Sequence, residues 1–102
     1  MLPLIEAHRI EIADLCRRFH VARLELFGSA ARGTDFDQDR SDIDLLVTYD
    51  PQAAPTFNDY FELSEQLAAL FARPVDLVMS GAVRNPFLRA GIERSKELVY
   101  AA

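Results

Sequence analysis

The sequence predicts an α/β domain, a small mixed β-sheet with helices packed against it. Three observations carry that expectation. Apolar segments of strand length alternate with segments of helical periodicity. Two acids stand inside one apolar strand, Ser41-Asp42-Ile43-Asp44-Leu45-Leu46-Val47, and a third stands inside another, Val75-Asp76-Leu77-Val78-Met79. Between the first two strands, Leu26-Phe27-Gly28-Ser29 breaks from extended chain into a helix start.

The elements follow in order. From Leu4 to Phe19, the residues Ile5, Ile12, Leu15, Cys16 and Phe19 recur at near-helical spacing and predict one amphipathic helix. Arg23 to Phe27 is expected as a strand with Leu24 and Leu26 on one face. A short helix should follow the Gly28-Ser29 turn and end at Gly33. Thr34 to Arg40 is a polar loop, Ser41 to Tyr49 the strand carrying two acids, and Asp50 to Pro55 a second loop. Phe57, Tyr60, Phe61, Leu63, Leu67, Leu70 and Phe71 predict a core-facing helix that Pro74 ends. Val75 to Met79 is a strand closed by Ser80-Gly81. Asn85-Pro86 is a helix start, with Asn as N-cap and Pro in the first turn, and Leu88 and Ile92 mark that helix's inner face. Leu98-Val99-Tyr100 is the last strand.

With 102 residues the chain is expected to form a single domain over 1–102, and its apolar half suffices for one core. The net charge of −5 argues against direct nucleic-acid binding, which draws its affinity from excess Lys and Arg. An acidic chain that binds a polyphosphate needs metal ions between them. Cys16 is the only cysteine, so no internal disulfide forms, and its place on an apolar stripe suits a buried inert thiol. No signal-peptide pattern or membrane-length apolar run is present, so a cytoplasmic protein is expected.

The acids carry the chemistry. Asp42 and Asp44 stand at i and i+2, on one face of a strand. Placing them beside Ile43, Leu45 and Val47 is costly unless a cation neutralises them. If the strand of Asp76 pairs with theirs, three carboxylates converge near Gly28-Ser29, where a helix start would seat phosphate. Such a cluster suits divalent cations, which complete their coordination with phosphate oxygens and water. Metal plus phosphate points to a nucleotide. The plainer reading makes the acids solvent-facing decoration of an edge strand. The apolar run on both faces and the recurrence at Asp76 weigh against it. Asp35, Asp37 and Asp39 alternate like a calcium loop, but Arg40 stands where glycine is required and Leu46 where a bidentate Glu is required. His8 and His20 suit surface or helix-end roles, so no histidine offers general acid–base catalysis. Tyr49, Tyr60 and Tyr100 are expected to be packing residues.

Gly28-Ser29-Ala30-Ala31-Arg32-Gly33 followed by Ser41-Asp42-Ile43-Asp44-Leu45 resembles the G-S-x-A-R-G…S-D-x-D-L signature of the minimal nucleotidyltransferases, within the DNA polymerase beta-like superfamily. Val75-Asp76-Leu77-Val78 is similar to the strand that supplies that family's third carboxylate. The resemblance covers the whole chain. It implies the polymerase beta-like nucleotidyltransferase fold and transfer of a nucleoside monophosphate, usually AMP from ATP, to an acceptor hydroxyl with release of pyrophosphate. By that analogy two Mg²⁺ ions are held by Asp42 and Asp44, and Asp76 joins the ion that activates the acceptor. Gly28 and Ser29 would hold the nucleotide's phosphates, while Arg32 either touches phosphate or buttresses the acids. Family members of this size are often antitoxins that adenylylate a helical HEPN-type toxin, commonly on tyrosine. Two competing readings are an antitoxin acting by steric contact alone and a transferase acting on a small molecule.

Overall fold

A computed structural model describes residues 2–28 and 42–102. The expected α/β architecture is present as a four-stranded mixed sheet of order β3-β2-β1-β4. Its strands are β1 (Val21–Phe27), β2 (Ile43–Tyr49), β3 (Val75–Met79) and β4 (Glu97–Ala101). β1 lies antiparallel to both β2 and β4, whereas β2 and β3 run parallel. A parallel pair needs a crossover. Helix α3 (Phe57–Phe71) supplies it.

The sheet has two unlike faces. Leu24, Leu26, Ile43, Leu45, Val47 and Leu77 point to one face and are buried there. Helices α1 (Pro3–Ala7), α2 (Arg9–Arg18) and α3 cover them with Ile5, Ile12, Leu15, Cys16, Leu63, Leu67 and Phe71. The intervening residues of β1 to β3 point to the opposite face. Helix α4 (Pro86–Ser95) partly covers that face, setting Ile92 beside Leu46, which is also buried.

Local chemistry sets the helix ends. Thr56 and Asp59 form a reciprocal capping box on α3: Asp59 N–H donates to Thr56 Oγ1 at 3.1 Å and Thr56 N–H to Asp59 Oδ2 at 3.0 Å. Asn85 caps α4 as expected, its Oδ1 accepting from Phe87 N–H at 2.9 Å. The single helix expected over Leu4–Phe19 is two. His8 leaves helical geometry (φ −118°, ψ 20°), and its carbonyl accepts from Ile12 N–H to begin α2.

Two expectations about the core need correction. Phe57 and Phe61 are 85% and 58% exposed. The buried stripe of α3 is Leu63, Leu67 and Phe71, and Phe61 lies two positions from Leu63, about 200° round the helix. Leu88 is likewise half exposed, because α4 meets the sheet one turn later, at Ile92. The loop of Thr34 to Arg40, with its alternating acids, lies outside the described residues, as does the end expected at Gly33.

Cys16 is fully buried, and burial pushes its thiol up to about 12. The folded chain therefore keeps this proton at a pH where the unfolded chain loses it. The resulting stabilisation is complete below the unfolded thiol's value, about 8.5, and is lost as pH rises toward 12. Urea titrations should show stability falling above about pH 9, with a shallower fall in Cys16→Ala; the native thiol should resist a disulfide reagent at neutral pH. Ala72 ends α3 in the left-handed region at φ 55°. Ala72→Gly should raise stability by about 1 kcal/mol, seen as a higher urea midpoint.

Candidate active site

The position of Asp44 is set first by its own strand. Because Ile43 and Leu45 are both completely buried under the helices, strand alternation turns Asp44 to the other face. In the β2–β3 register Asp44 lies opposite Asp76, and Leu45 opposite Leu77. In-register residues of neighbouring parallel strands share a face, with the strands about 4.8 Å apart. Two carboxylates therefore stand side by side. Asp42 lies one residue before β2 and is exposed; the alternation of β2 carried back assigns it to the same face.

β1 meets this pair at its C-terminal end. Phe27 lies opposite Asp44, and Gly28 follows with φ +70°. A Cβ on Gly28 would overlap Asp44 Oδ2. Glycine is needed here twice over, for the left-handed backbone and for the space the carboxylate occupies. Ser29 and Arg32, the other residues expected to hold phosphate, lie outside the described residues. The structure thus brings together Gly28, Asp44 and Asp76 and places Asp42 beside them.

Among the described residues no three ligating side chains close into a metal cage. The donor set nevertheless fits Mg²⁺, which takes one or two carboxylates and fills the rest of its octahedron with phosphate oxygens and water. Like charges directly opposite each other on a sheet are destabilising. The Asp44–Asp76 pair is thus suited to a cation between the two carboxylates. The missing Cβ at Gly28 leaves room for the Asp44 carboxylate itself.

The histidines are placed elsewhere. His20 precedes β1, eight positions and about 25 Å from Gly28 along the strand. His8 packs edge-on against Phe71 in the helical layer, with Nδ1 2.9 Å from Glu11.

Two features of this face were not expected from the sequence. Glu25 is a buried carboxylate on the Asp44 side of β1, held by Lys96 Nζ at 3.2 Å. Hydrogen bonding to Glu93, and then to Glu25, raises the Lys96 ammonium. This ion pair is separate from the Asp44–Asp76 pair, because the register sets Glu25 opposite Leu46. Its only sequence signal is the acid between Leu24 and Leu26.

The second feature is a cleft of about 760 Å³ along the outer edge of β3, lined by Tyr49, Phe57, Tyr60, Asp76, Val78 and Met79 among others. Tyr60 donates its hydroxyl to the Leu77 carbonyl on that edge. Burial, and then the charge of Asp76, raises the Tyr60 phenol. Burial raises that of Tyr49 too, followed by the charges of Tyr60 and Asp59. Both tyrosines do pack, but they also form a wall beside Asp76.

Comparison with known proteins identifies the family and the fold. Residues 10–99 match the family described as Nucleotidyltransferase domain. The chain is similar to "Protein adenylyltransferase MntA" of Thermococcus cleftensis, 34% identical over 99 residues, which cover 95% of this chain and 88% of the relative. A Methanocaldococcus jannaschii protein designated a candidate protein adenylyltransferase is 36% identical over 83 residues, covering 81% and 79%. Among solved structures, a candidate minimal nucleotidyltransferase superposes with a TM-score of 0.72 at 33% identity, over 90% of this chain and 89% of that one. The MNT antitoxin complex with a tri-AMPylated HEPN toxin, from Shewanella oneidensis, superposes with a TM-score of 0.67 over 96% and 73% of the two chains; at 20% identity it speaks for the fold alone.

The Gly28–Asp44 fit can be tested directly. Gly28→Ala should cost about 1–3 kcal/mol of unfolding free energy. In an Asp44→Ala background the same substitution should cost less, because the overlap with the carboxylate is gone. Equal costs in the two backgrounds, measured by urea denaturation, would show that Asp44 does not press on Gly28.

Proposed function

The chain belongs to the nucleotidyltransferase domain family, and from that premise we propose that it transfers AMP from ATP to a hydroxyl of a partner protein, as the antitoxin of a HEPN-type toxin. The observation that carries this reading is the in-register pair of Asp44 and Asp76 beside the side-chain-free surface of Gly28. The names of the adenylyltransferase relatives support the reaction. The AMPylated toxin complex supports the kind of partner.

In this reading Asp42, Asp44 and Asp76 hold two Mg²⁺ ions. When bound, those ions neutralise charge on the triphosphate and lower the cost of ionising the acceptor hydroxyl. Gly28 and Ser29 would bear on the phosphates, Gly28 through its backbone at the point where no Cβ intervenes, and Arg32 would either touch phosphate or buttress the acids. The acceptor oxygen forms a bond to the α-phosphorus as the bond from that phosphorus to the bridging oxygen breaks. Pyrophosphate leaves with the electron pair, and the hydroxyl proton passes to solvent. No histidine is required. Positioning and charge neutralisation carry such transfers. The rigid β2–β3 register supplies the positioning, because both carboxylates sit on strands anchored in the core.

A transferase acting on small molecules is the weaker reading. The two relatives named above are of similar length, one designated a protein adenylyltransferase and the other a candidate one. A steric antitoxin would leave the paired acids without a role.

The test is an intact-mass spectrum of the adjacent gene's product after incubation with the protein, ATP and Mg²⁺. Wild type should add one or more AMP units. Asp42→Asn and Asp44→Asn should each lower the rate by about 10³-fold or more while circular dichroism stays unchanged. Protection of the partner without any mass change would favour the steric reading. Asp76→Asn should slow transfer while ATP still binds by calorimetry.

A further inference from the structure

Helix α4 carries apolar and cationic surface that neither the fold nor the proposed transfer uses. It buries Ile92 alone, and Phe87 and Leu88 stay 87% and 54% exposed. Leu88, Gly91, Phe87 and Arg94 fall within one arc of about 120° on the flank and outer side of the helix. A Cβ on Gly91 would meet nothing within 4 Å, so no contact inside the chain requires this glycine. Glycine inside a helix is nevertheless less stable than alanine. Arg84 stands before this patch and Arg94 at its end. Neither makes an ion pair or hydrogen bond among the described residues, and Arg89 between them makes none either. In a chain of net charge −5, this is a local excess of positive charge.

The patch lies on the side of the sheet that carries Asp44. Ile92 meets Leu46 there, and Lys96, just past the helix, reaches Glu25 on the same face. Leu98 pairs with Glu25 across β1 and β4, shares that face, and is 51% exposed. The other large exposed apolar residues belong to α2, α3 and β3: Ile10, Phe57, Phe61 and Met79. Those two helices cover the opposite face, and Met79 shares that face with Leu77. A partner resting on α4 therefore approaches from the acid-bearing side.

Charge decides what fits. A second copy of the chain would lay the patch on itself and set arginines against arginines. Nucleic acid would find few cations, spread among phenylalanine, leucine and glycine. The complement is an apolar surface that carries carboxylates. The bare backbone at Gly91 admits a helix, because side chains at the contact set how closely two helices pack.

We propose that this face of α4 docks the partner protein, through a helix that presents an apolar stripe with a carboxylate toward each end. Phe87 is the anchor, Gly91 the point of closest approach, and Arg84 and Arg94 meet the carboxylates. This assignment rests on the protein-acceptor reading above and says where that protein is gripped. Docking there holds the acceptor on the Asp44 side of the sheet without covering Asp76.

Calorimetry of the full chain with the adjacent gene's product tests this. Phe87→Asp, in the first helical turn where an acid suits the helix dipole, should weaken the complex about thirtyfold or more. AMP transfer should then show a raised KM for the partner with kcat unchanged, and ATP should bind as in wild type. Gly91→Gln should raise the urea midpoint yet weaken the complex, opposite changes that a merely structural glycine does not give. Ile10→Asp, at a site 81% exposed on the far side of the sheet, should leave the affinity unchanged. An affinity unmoved by Phe87→Asp, or lowered as much by Ile10→Asp, would overturn the proposal. Self-association of the chain that Phe87→Asp abolishes would overturn it as well. So would binding of a mixed-sequence RNA that is lost in Arg84→Ala/Arg94→Ala, or a wild-type chain that forms no complex. Two outcomes separate the readings. AMP transfer with an affinity indifferent to Phe87 sinks the docking face alone. A Phe87-dependent complex without AMP transfer sinks the transferase alone.

Discussion

Asp44 lies opposite Asp76 in a parallel register, and the architecture is arranged around keeping it so. Two like charges on adjacent strands would push the strands apart if nothing else held them. The opposite face does hold them. Ile43, Leu45 and Leu77 flank the acids and are buried under α2 and α3, so the strands are clamped by apolar burial. Every carboxylate position is thus fixed by residues on either side of it, and slipping the register by one would bury the acids and expose the core. That penalty is what makes the pairing rigid.

The same constraint explains α3. Parallel strands cannot be joined by a hairpin, so β2 must return over the sheet before β3 begins. The capping box at Thr56 and Asp59 starts the return, and Ala72 turns the chain out of it. Because α3 crosses on the helical face, its residues Phe57 and Tyr60 line the cleft at the β3 edge. The cleft beside Asp76 is a by-product of that crossover. Its apolar walls come from Phe57 of that helix and from Val78 and Met79 of β3.

The acid-bearing face is unevenly covered. Helix α4 seals the part over Leu46, and Lys96 neutralises the buried Glu25 there. At the Gly28 end, Asp42 and Asp76 remain exposed. Glu25 is thus satisfied within the fold. Asp44 and Asp76 lie in register toward the Gly28 end of the same face. A cation and nucleotide that bind only the folded chain would add their binding free energy to its stability.

The sequence by itself determined the element types and the catalytic candidates. Acids at alternate positions inside apolar strands, and a glycine at the end of β1, are local signals, because strand alternation turns spacing into facing. Asn85-Pro86 is local in the same way, since the cap acts on its own helix. The family resemblance rested on those same residues. Only the tertiary structure decided which strands are neighbours, and therefore that Asp76 stands opposite Asp44. It also decided which side of α3 is covered, so that Leu63 and Leu67 are core while Phe57 and Phe61 are not. Glu25 escaped notice because its partner Lys96 lies 71 positions away. Tyr49 and Tyr60 read as packing residues because a periodic pattern reports which residues share a helix face or strand face. It carries no information about the gap that forms where two such elements meet.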